Sequence, residues 1–293
     1  HLECKIAWMY ASYVAEGAYV ERTLEATLRR ALRSFPAVVL TGPRQSGKTT
    51  LLWHLLGNSW RYCTLDAPDV RSEAVGDPRG FLAANPPPLI LDEIQHAPQL
   101  LPYVKEQIDR TRRKAGQFIL TGSQNLLLQE RANETLAGRA AILRLLPLSW
   151  REIRRCPDLP LIWERRDQRL GSAESGRTEL WEGILRGGSP ELWSSEVADP
   201  HLWHASFVQT YLERDVRSLR QVGDLSQFQA LLGALAARSG QLLSLSGLAR
   251  DLGLAVNTVK AWISVLEASF QVVLVRPFHA SIGKRLVKSP KLY

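Results

Sequence analysis

The sequence runs to 293 residues, 37 of them Lys or Arg and 29 Asp or Glu, for a net charge of +8. That length suits two compact units, and 45% apolar with 23% charged residues excludes a disordered or fibrous chain. No stretch reaches the roughly 18 to 20 uninterrupted apolar residues of a membrane-spanning helix, the three cysteines, Cys4, Cys63 and Cys156, suit neither a disulfide framework nor a metal knuckle, and the basic balance favours polyanions such as nucleotides or nucleic acid as partners.

In chain order, Ile6 to Ala15 comes first, an apolar run behind the single basic Lys5. It reads either as a short leader or as an upstream extension; the thin positive region and the lack of a small-residue cleavage site favour the extension, so residues 1–17 are left out of the fold. Leu24, Leu28 and Leu32 then recur at helical spacing up to Ser34. Ala37 to Leu40 is a wholly apolar, partly β-branched run, as expected of a strand covered on both faces. Tyr62 to Leu65, Leu89 to Leu91 and Phe118 to Leu120 repeat that pattern, with a helix over Leu100 to Arg113 before the last and a fifth strand at Ala140 to Leu145. Alternating strands and helices imply crossover connections, and therefore a parallel α/β sheet. Each of these first four runs ends in polar residues, at the carboxyl ends where such sheets bind ligands. The turn Pro147 to Trp150 closes the sheet unit, and Arg154 to Arg177 is polar and punctuated by Pro and Gly, as at a boundary.

The residues Gly42, Pro43, Arg44, Gln45, Ser46, Gly47, Lys48 and Thr49 match the phosphate-loop pattern G-x-x-x-x-G-K-[ST], between a strand and the apolar helix start at Leu51. Backbone N–H groups of this loop, running on to Thr50, would cradle phosphate oxygens, helped by the positive end of the helix. Lys48 would reach the β- and γ-phosphates, and the Thr49 hydroxyl is a hard ligand for Mg²⁺. Asp92 and Glu93 follow the apolar run 89–91 in a Walker-B arrangement: Asp92 to hold the Mg²⁺ shell, Glu93 to orient attacking water. The competing reading makes these acids a helix N-terminal decoration. Asp66, at another strand end, reads as a cap or sheet support. No guanine-reading N-K-x-D motif is seen, which favours ATP.

Residues 227–278 add three helices, Phe228 to Arg238, Leu245 to Leu252 and Asn257 to Phe270, before a strand at Gln271 to Val275. That order is a winged helix-turn-helix, with Thr258, Lys260 and Trp262 opening the recognition helix. The same fold also serves as a protein-interaction module or lid. Lys260, Arg276, Lys284, Arg285, Lys288 and Lys291 suit nonspecific contact with a phosphate backbone better than base readout.

The segments Thr41 to Thr50, Leu91 to Gln95 and Leu120 to Ser123 resemble prokaryotic AAA-like ATPases that carry an uncharacterised C-terminal domain. So do Leu136 to Arg139, Leu146 to Ser149, Gly187 to Glu191, Tyr211 to Val216 and Lys284 to Tyr293, in the family's order, and the resemblance covers nearly everything from Tyr19 onward. It implies a sensor role for Ser123, with Thr121 second, unless these residues only cap a helix. It also suggests Arg139 as an arginine finger reaching a neighbouring subunit's γ-phosphate, which would need a homo-oligomer; a surface ion pair is the alternative. Arg186 and Arg214 are weaker candidates. Family members usually continue into a restriction-endonuclease-like segment, so ending at Tyr293 suggests a fragment.

These readings combine into an α/β P-loop NTPase sheet of AAA-like type, followed by a helical region and a winged helix-turn-helix domain. The expected division is an extension at 1–17, an ATPase core at 18–154, a helical lid or linker at 155–226, a winged helix at 227–278 and the start of a further segment at 279–293. The expected function is a cytoplasmic, Mg²⁺-dependent ATPase whose nucleotide state switches a protein or DNA partner, with no membrane association. The alternative is a DNA-associated regulator in which ATP is a structural ligand with negligible hydrolysis.

Overall fold

In the computed structural model, residues 19–111, 114–122, 135–158, 177–194, 199–211, 224–278 and 288–293 are described. The expected strands form as β1 (Ala37–Thr41), β2 (Arg61–Thr64), β3 (Leu89–Asp92), β4 (Phe118–Gly122) and β5 (Ala140–Arg144). They make one parallel sheet in the order β2-β3-β4-β1-β5. Every residue of β1, β3 and β4 is buried, the physical basis of their unbroken apolar runs, since a central parallel strand meets helices on both faces.

Side chains alternate along each strand and so divide between two cores. On one face Val38, Ile90 and Ile119 pack with helices α1 (Glu25–Ser34) and α2 (Lys48–Leu56). On the other, Val39, Leu91 and Leu120 pack with α3 (Pro68–Gly76), α4 (Pro78–Ala84) and α5 (Leu101–Arg110). The α1 stripe buries Leu28 completely. After β5 the chain enters α6 (Trp150–Ile153) through a capping box: Glu152 N donates to Ser149 Oγ, and Ser149 N donates to the Glu152 carboxylate. Helices α7 (Arg177–Arg186) and α8 (Glu191–Ser194) follow. Gly188 O accepts from Leu148 N at 2.7 Å, and a Cβ at Gly188 would stand 2.8 Å from Leu148 O, so this turn lies tightly against the chain leaving the sheet.

The chain divides into two compact units, 1–200 and 201–293. Helix α9 (Pro200–Tyr211) brings Phe207 and Val208 to the second core. That core is built by α10 (Leu225–Ala236), α11 (Leu245–Leu252) and α12 (Val256–Ala268) around Phe228, Leu248, Val259 and Leu266. Asp224 caps α10 through Ser226 N and Gln227 N, and Ser244 caps α11 through Gly247 N. The short strand β6 (Leu274–Val275) pairs antiparallel with β7 (Lys291–Leu292), and Leu242 bridges Lys291 on the other side. Trp262 corrects the sequence reading: it is 3% exposed and packs edge-on to Phe228, so it belongs to the core and presents nothing at the start of a recognition helix. Its position six residues into α12 turns it inward with Val259 and Leu266, as helical periodicity requires. Lys284, Arg285 and Arg214 lie outside the described residues. Among the described residues no helix is long and apolar enough to cross a membrane.

Candidate active site

Strand β1, between β4 and β5, delivers Gly42 directly from the interior of the sheet, and the loop that follows is shaped by left-handed residues. Gln45 has φ 57° and Gly47 φ 85°, and Gly47 is the N-cap of α2, so the helix begins on Lys48 itself. Glycine is needed at Gly42 for a different reason: a Cβ there would stand 2.1 Å from Leu145 O. Lys48 is 6% exposed. Its ammonium donates to Gly42 O at 3.0 Å and Pro43 O at 2.8 Å. Burial lowers the Lys48 pKa, with Glu93 and Asp92 pulling it back up. An anion delivered to this loop would therefore meet a partly desolvated cation, which strengthens their attraction.

The order of strands puts β4 between β1 and β3, and this brings the predicted residues together. Thr49 Oγ1 donates to Asp92 Oδ2 at 3.1 Å across 43 positions of sequence. Thr121, at the end of β4, donates to Asp92 Oδ1 and accepts from Glu93 N at 3.2 Å. Glu93 sits at φ 57°, an unusual conformation for a side-chain-bearing residue that turns the chain sharply after the strand. Its carboxylate accepts from Gln95 Nε2. Thr121, the second choice as sensor, is thus tied to both Asp92 and Glu93; Ser123 lies outside the described residues. Gln45 and Thr50 are exposed, while Pro43 and Ser46 are buried and Arg44 partly so.

Arg139 is elsewhere. Its carbonyl accepts from Ala37 N, at the start of β1, so it lies at the amino end of the sheet, opposite the phosphate loop. Its guanidinium grips Asp109 through Nε and Nη2 at 2.8 and 3.0 Å. This bidentate pair with Asp109 is the ion pair expected as the alternative to an arginine finger toward a neighbouring subunit. Arg186 pairs with Glu182 and donates to Leu192 O.

Residues that sequence reasoning passed over complete the site. Arg22 is 5% exposed. It donates to Ser46 O at 2.8 Å and Leu146 O at 2.6 Å, and its Nε stands 3.3 Å from Glu152 Oε1. Glu152 also accepts from Thr23 N at 2.7 Å. Burial raises its pKa, but the Ser149 and Thr23 N–H groups and the Arg22 charge outweigh this and hold the carboxyl below its ordinary range. A Cβ on Gly47 would come within 3.5 Å of Pro190 and 3.6 Å of Arg22, so both residues border the phosphate loop. Tyr62 donates to Asp92 Oδ2 at 2.5 Å. The Ser-x-x-Glu pattern at 149–152 was the one sequence signal for this cluster. Nothing local marked Arg22 or Tyr62.

The residues fit a nucleotide with a hard divalent cation. Ser46 Oγ is buried with no hydrogen-bond partner among the described residues, at the mouth of a loop whose chemistry is phosphate binding. Thr49 and Asp92 offer hard oxygens of the kind Mg²⁺ takes. Residues 34–154 match a family described as an AAA domain, and residues 177–293 match a domain of unknown function, DUF8612. Residues 34–154 are thus similar to AAA-like P-loop ATPases. A solved structure, described as the Walker-type ATPase of Pyrococcus abyssi, shares the fold of this chain with TM-score 0.53 at 13% identity, over 87% of this chain and 91% of that one. Uncharacterized proteins of Mycobacterium tuberculosis and Mycobacterium bovis are each 35% identical to it over 274 residues, 93% of this chain and 57% of theirs. The chain thus spans a little over half the length of these curated relatives.

Proposed function

We propose that this AAA-like chain binds ATP with Mg²⁺ and hydrolyses it, its nucleotide state switching a partner. The observation that carries this reading is the convergence of Lys48, Thr49, Asp92, Glu93 and Thr121 at the carboxyl ends of three adjacent strands. The loop N–H groups and Lys48 bind and orient the phosphates. Mg²⁺ held through Thr49 and Asp92 would supply charge neutralisation at the phosphate oxygens. Thr121 fixes the Asp92 carboxylate and the Glu93 backbone, and Glu93 holds the attacking water and takes its proton. Lys48→Ala should abolish binding of a fluorescent ATP analogue. Glu93→Gln should keep binding while phosphate release falls about 10²-fold or more, and Asp92→Asn should shift the Mg²⁺ dependence. Wild-type turnover in both acid variants would refute the reading.

A second reading concerns residues 201–293. Within them α10, α11 and α12, with the β6–β7 ribbon and the Leu242 bridge, support a winged helix. Exposed Lys260, Arg276, Lys288 and Lys291 support contact with a phosphate backbone. ATP would then be an allosteric or structural ligand of a DNA-associated protein, and phosphate release measured with and without duplex DNA separates the two.

A further inference from the structure

Asp92 is 6% exposed, and its carboxylate accepts from three hydroxyls among the described residues. Thr49 Oγ1 and Tyr62 Oη both donate to Oδ2, at 3.1 and 2.5 Å, while Thr121 Oγ1 donates to Oδ1. An ionised carboxylate offers about four acceptor positions, two on each oxygen. Oδ2 is therefore filled, and Oδ1 keeps one position. Thr49 gives up only its hydrogen in this contact, so its oxygen lone pairs stay open to a cation.

Tyr62 comes from β2, the strand at the end of the sheet order, and the ladder explains how it reaches Asp92. Tyr62 pairs with Ile90 and Thr64 with Asp92 across β2 and β3, and alternate residues of a strand share a face. Tyr62, Ile90 and Asp92 thus lie on the α2 side of the sheet, where Tyr62 and Ile90 join the core. Tyr62 stands one step back from Asp92 on that face, a gap that a phenol spans. Its ring packs against Trp53 of α2, with centroids 5.3 Å apart, and this fixes where the hydroxyl points.

This arrangement decides how Asp92 can meet a cation. A carboxylate with both oxygens open suits Ca²⁺, which takes bidentate carboxylates in flexible geometry, whereas Mg²⁺ keeps near-octahedral geometry and several of its waters. We propose that Tyr62 sets the metal selectivity of the nucleotide site: by filling Asp92 Oδ2 it limits the carboxylate to a single contact through Oδ1, which favours Mg²⁺ over Ca²⁺. Tyr62 acts through Asp92, as a positioning residue. The inference rests on the ATPase reading above, which makes Asp92 a metal-site residue.

The test is binding of a fluorescent ATP analogue to the full chain, read by anisotropy and titrated separately with Mg²⁺ and Ca²⁺, so it does not depend on turnover. Tyr62→Phe removes the hydroxyl and keeps the ring beside Trp53. The ratio of the Ca²⁺ midpoint to the Mg²⁺ midpoint should fall at least 10-fold from its wild-type value, chiefly because Ca²⁺ acts at lower concentration. The analogue's own affinity for each ion is common to both proteins and cancels. Should Tyr62→Phe not fold, Tyr62→Met, a flexible filler without a hydroxyl, should shift the ratio in the same direction. A merely structural brace would weaken binding with both ions alike, so an unchanged or rising ratio overturns the proposal. In an Asp92→Asn background, adding Tyr62→Phe should leave the ratio where it was, and a further 10-fold fall there overturns the route through Asp92. Wild-type protein indifferent to both ions refutes the Mg²⁺ assignment above and this proposal together. Ion-dependent wild-type binding with an unchanged ratio in the variant refutes this proposal alone.

Discussion

Arg22→Ala should destabilise the first unit far more than a typical surface change. The guanidinium is 4% exposed and its partner Glu152 5% exposed at the side chain, with 3.3 Å between Nε and Oε1. Removing one member of such a buried pair leaves an uncompensated charge and costs about 3–5 kcal/mol. The loss also strips a donor from Ser46 O and from Leu146 O. For a unit of this size each kcal/mol lowers Tm by about 2–4 °C, so the expected fall is on the order of 6–20 °C. Thermal melts of the full chain, read by tryptophan fluorescence and circular dichroism, measure it. Arg22→Lys keeps the charge, yet one ammonium on a flexible stem cannot reproduce the fork that serves two carbonyls and a carboxylate. It should fall between wild type and Arg22→Ala. Because Arg22 holds the Ser46 carbonyl, Arg22→Lys should also weaken binding of the ATP analogue. A Tm within about 2 °C of wild type for Arg22→Ala would refute the claim that this pair braces the phosphate loop.

Glu152→Gln should lower stability at neutral pH and flatten the acid limb of the stability curve. The folded carboxyl is held below its ordinary range, so its stabilisation is complete above the unfolded value of about 4.3 and is lost as pH falls through the lower folded value; urea titrations at several pH values would show it, and an unchanged acid limb would contradict it. Gly42→Ala should abolish binding of the ATP analogue, because its Cβ would meet Leu145 O at 2.1 Å and force the loop away from β5; calorimetry tests this, and wild-type affinity would show that the loop can give. Any DNA affinity should be steep in salt, and Lys284→Ala/Arg285→Ala should weaken all duplexes alike and lower the slope of log K against log salt by about one to two units; a strong preference for one duplex would point to base readout instead.

Local chemistry in the amino-acid sequence was enough to specify the five strands and to mark residues 42–49, Asp92 and Glu93 as a candidate phosphate site. A phosphate cradle needs glycine and lysine at fixed offsets within eight residues, and a strand buried on both faces needs an unbroken apolar run, so both signals are short-range. The strand ends differ from expectation by one or two residues, as at Thr41 and Gly122, because the ladder extends as far as its neighbour does. What lies far apart in sequence was decided only by the tertiary structure. The order β2-β3-β4-β1-β5 brought Thr49 and Thr121 to the same Asp92 carboxylate and sent Arg139 to the opposite end of the sheet. Arg22 and Glu152 are 130 residues apart, and each alone resembles an ordinary helix-flanking charge until packing excludes water from both. Trp262 looked like a groove-facing aromatic by its place in α12, but its direction was set by the core it entered. Ladder pairing, crossover order and desolvation are properties of the assembled sheet, and no window of neighbouring residues contains them.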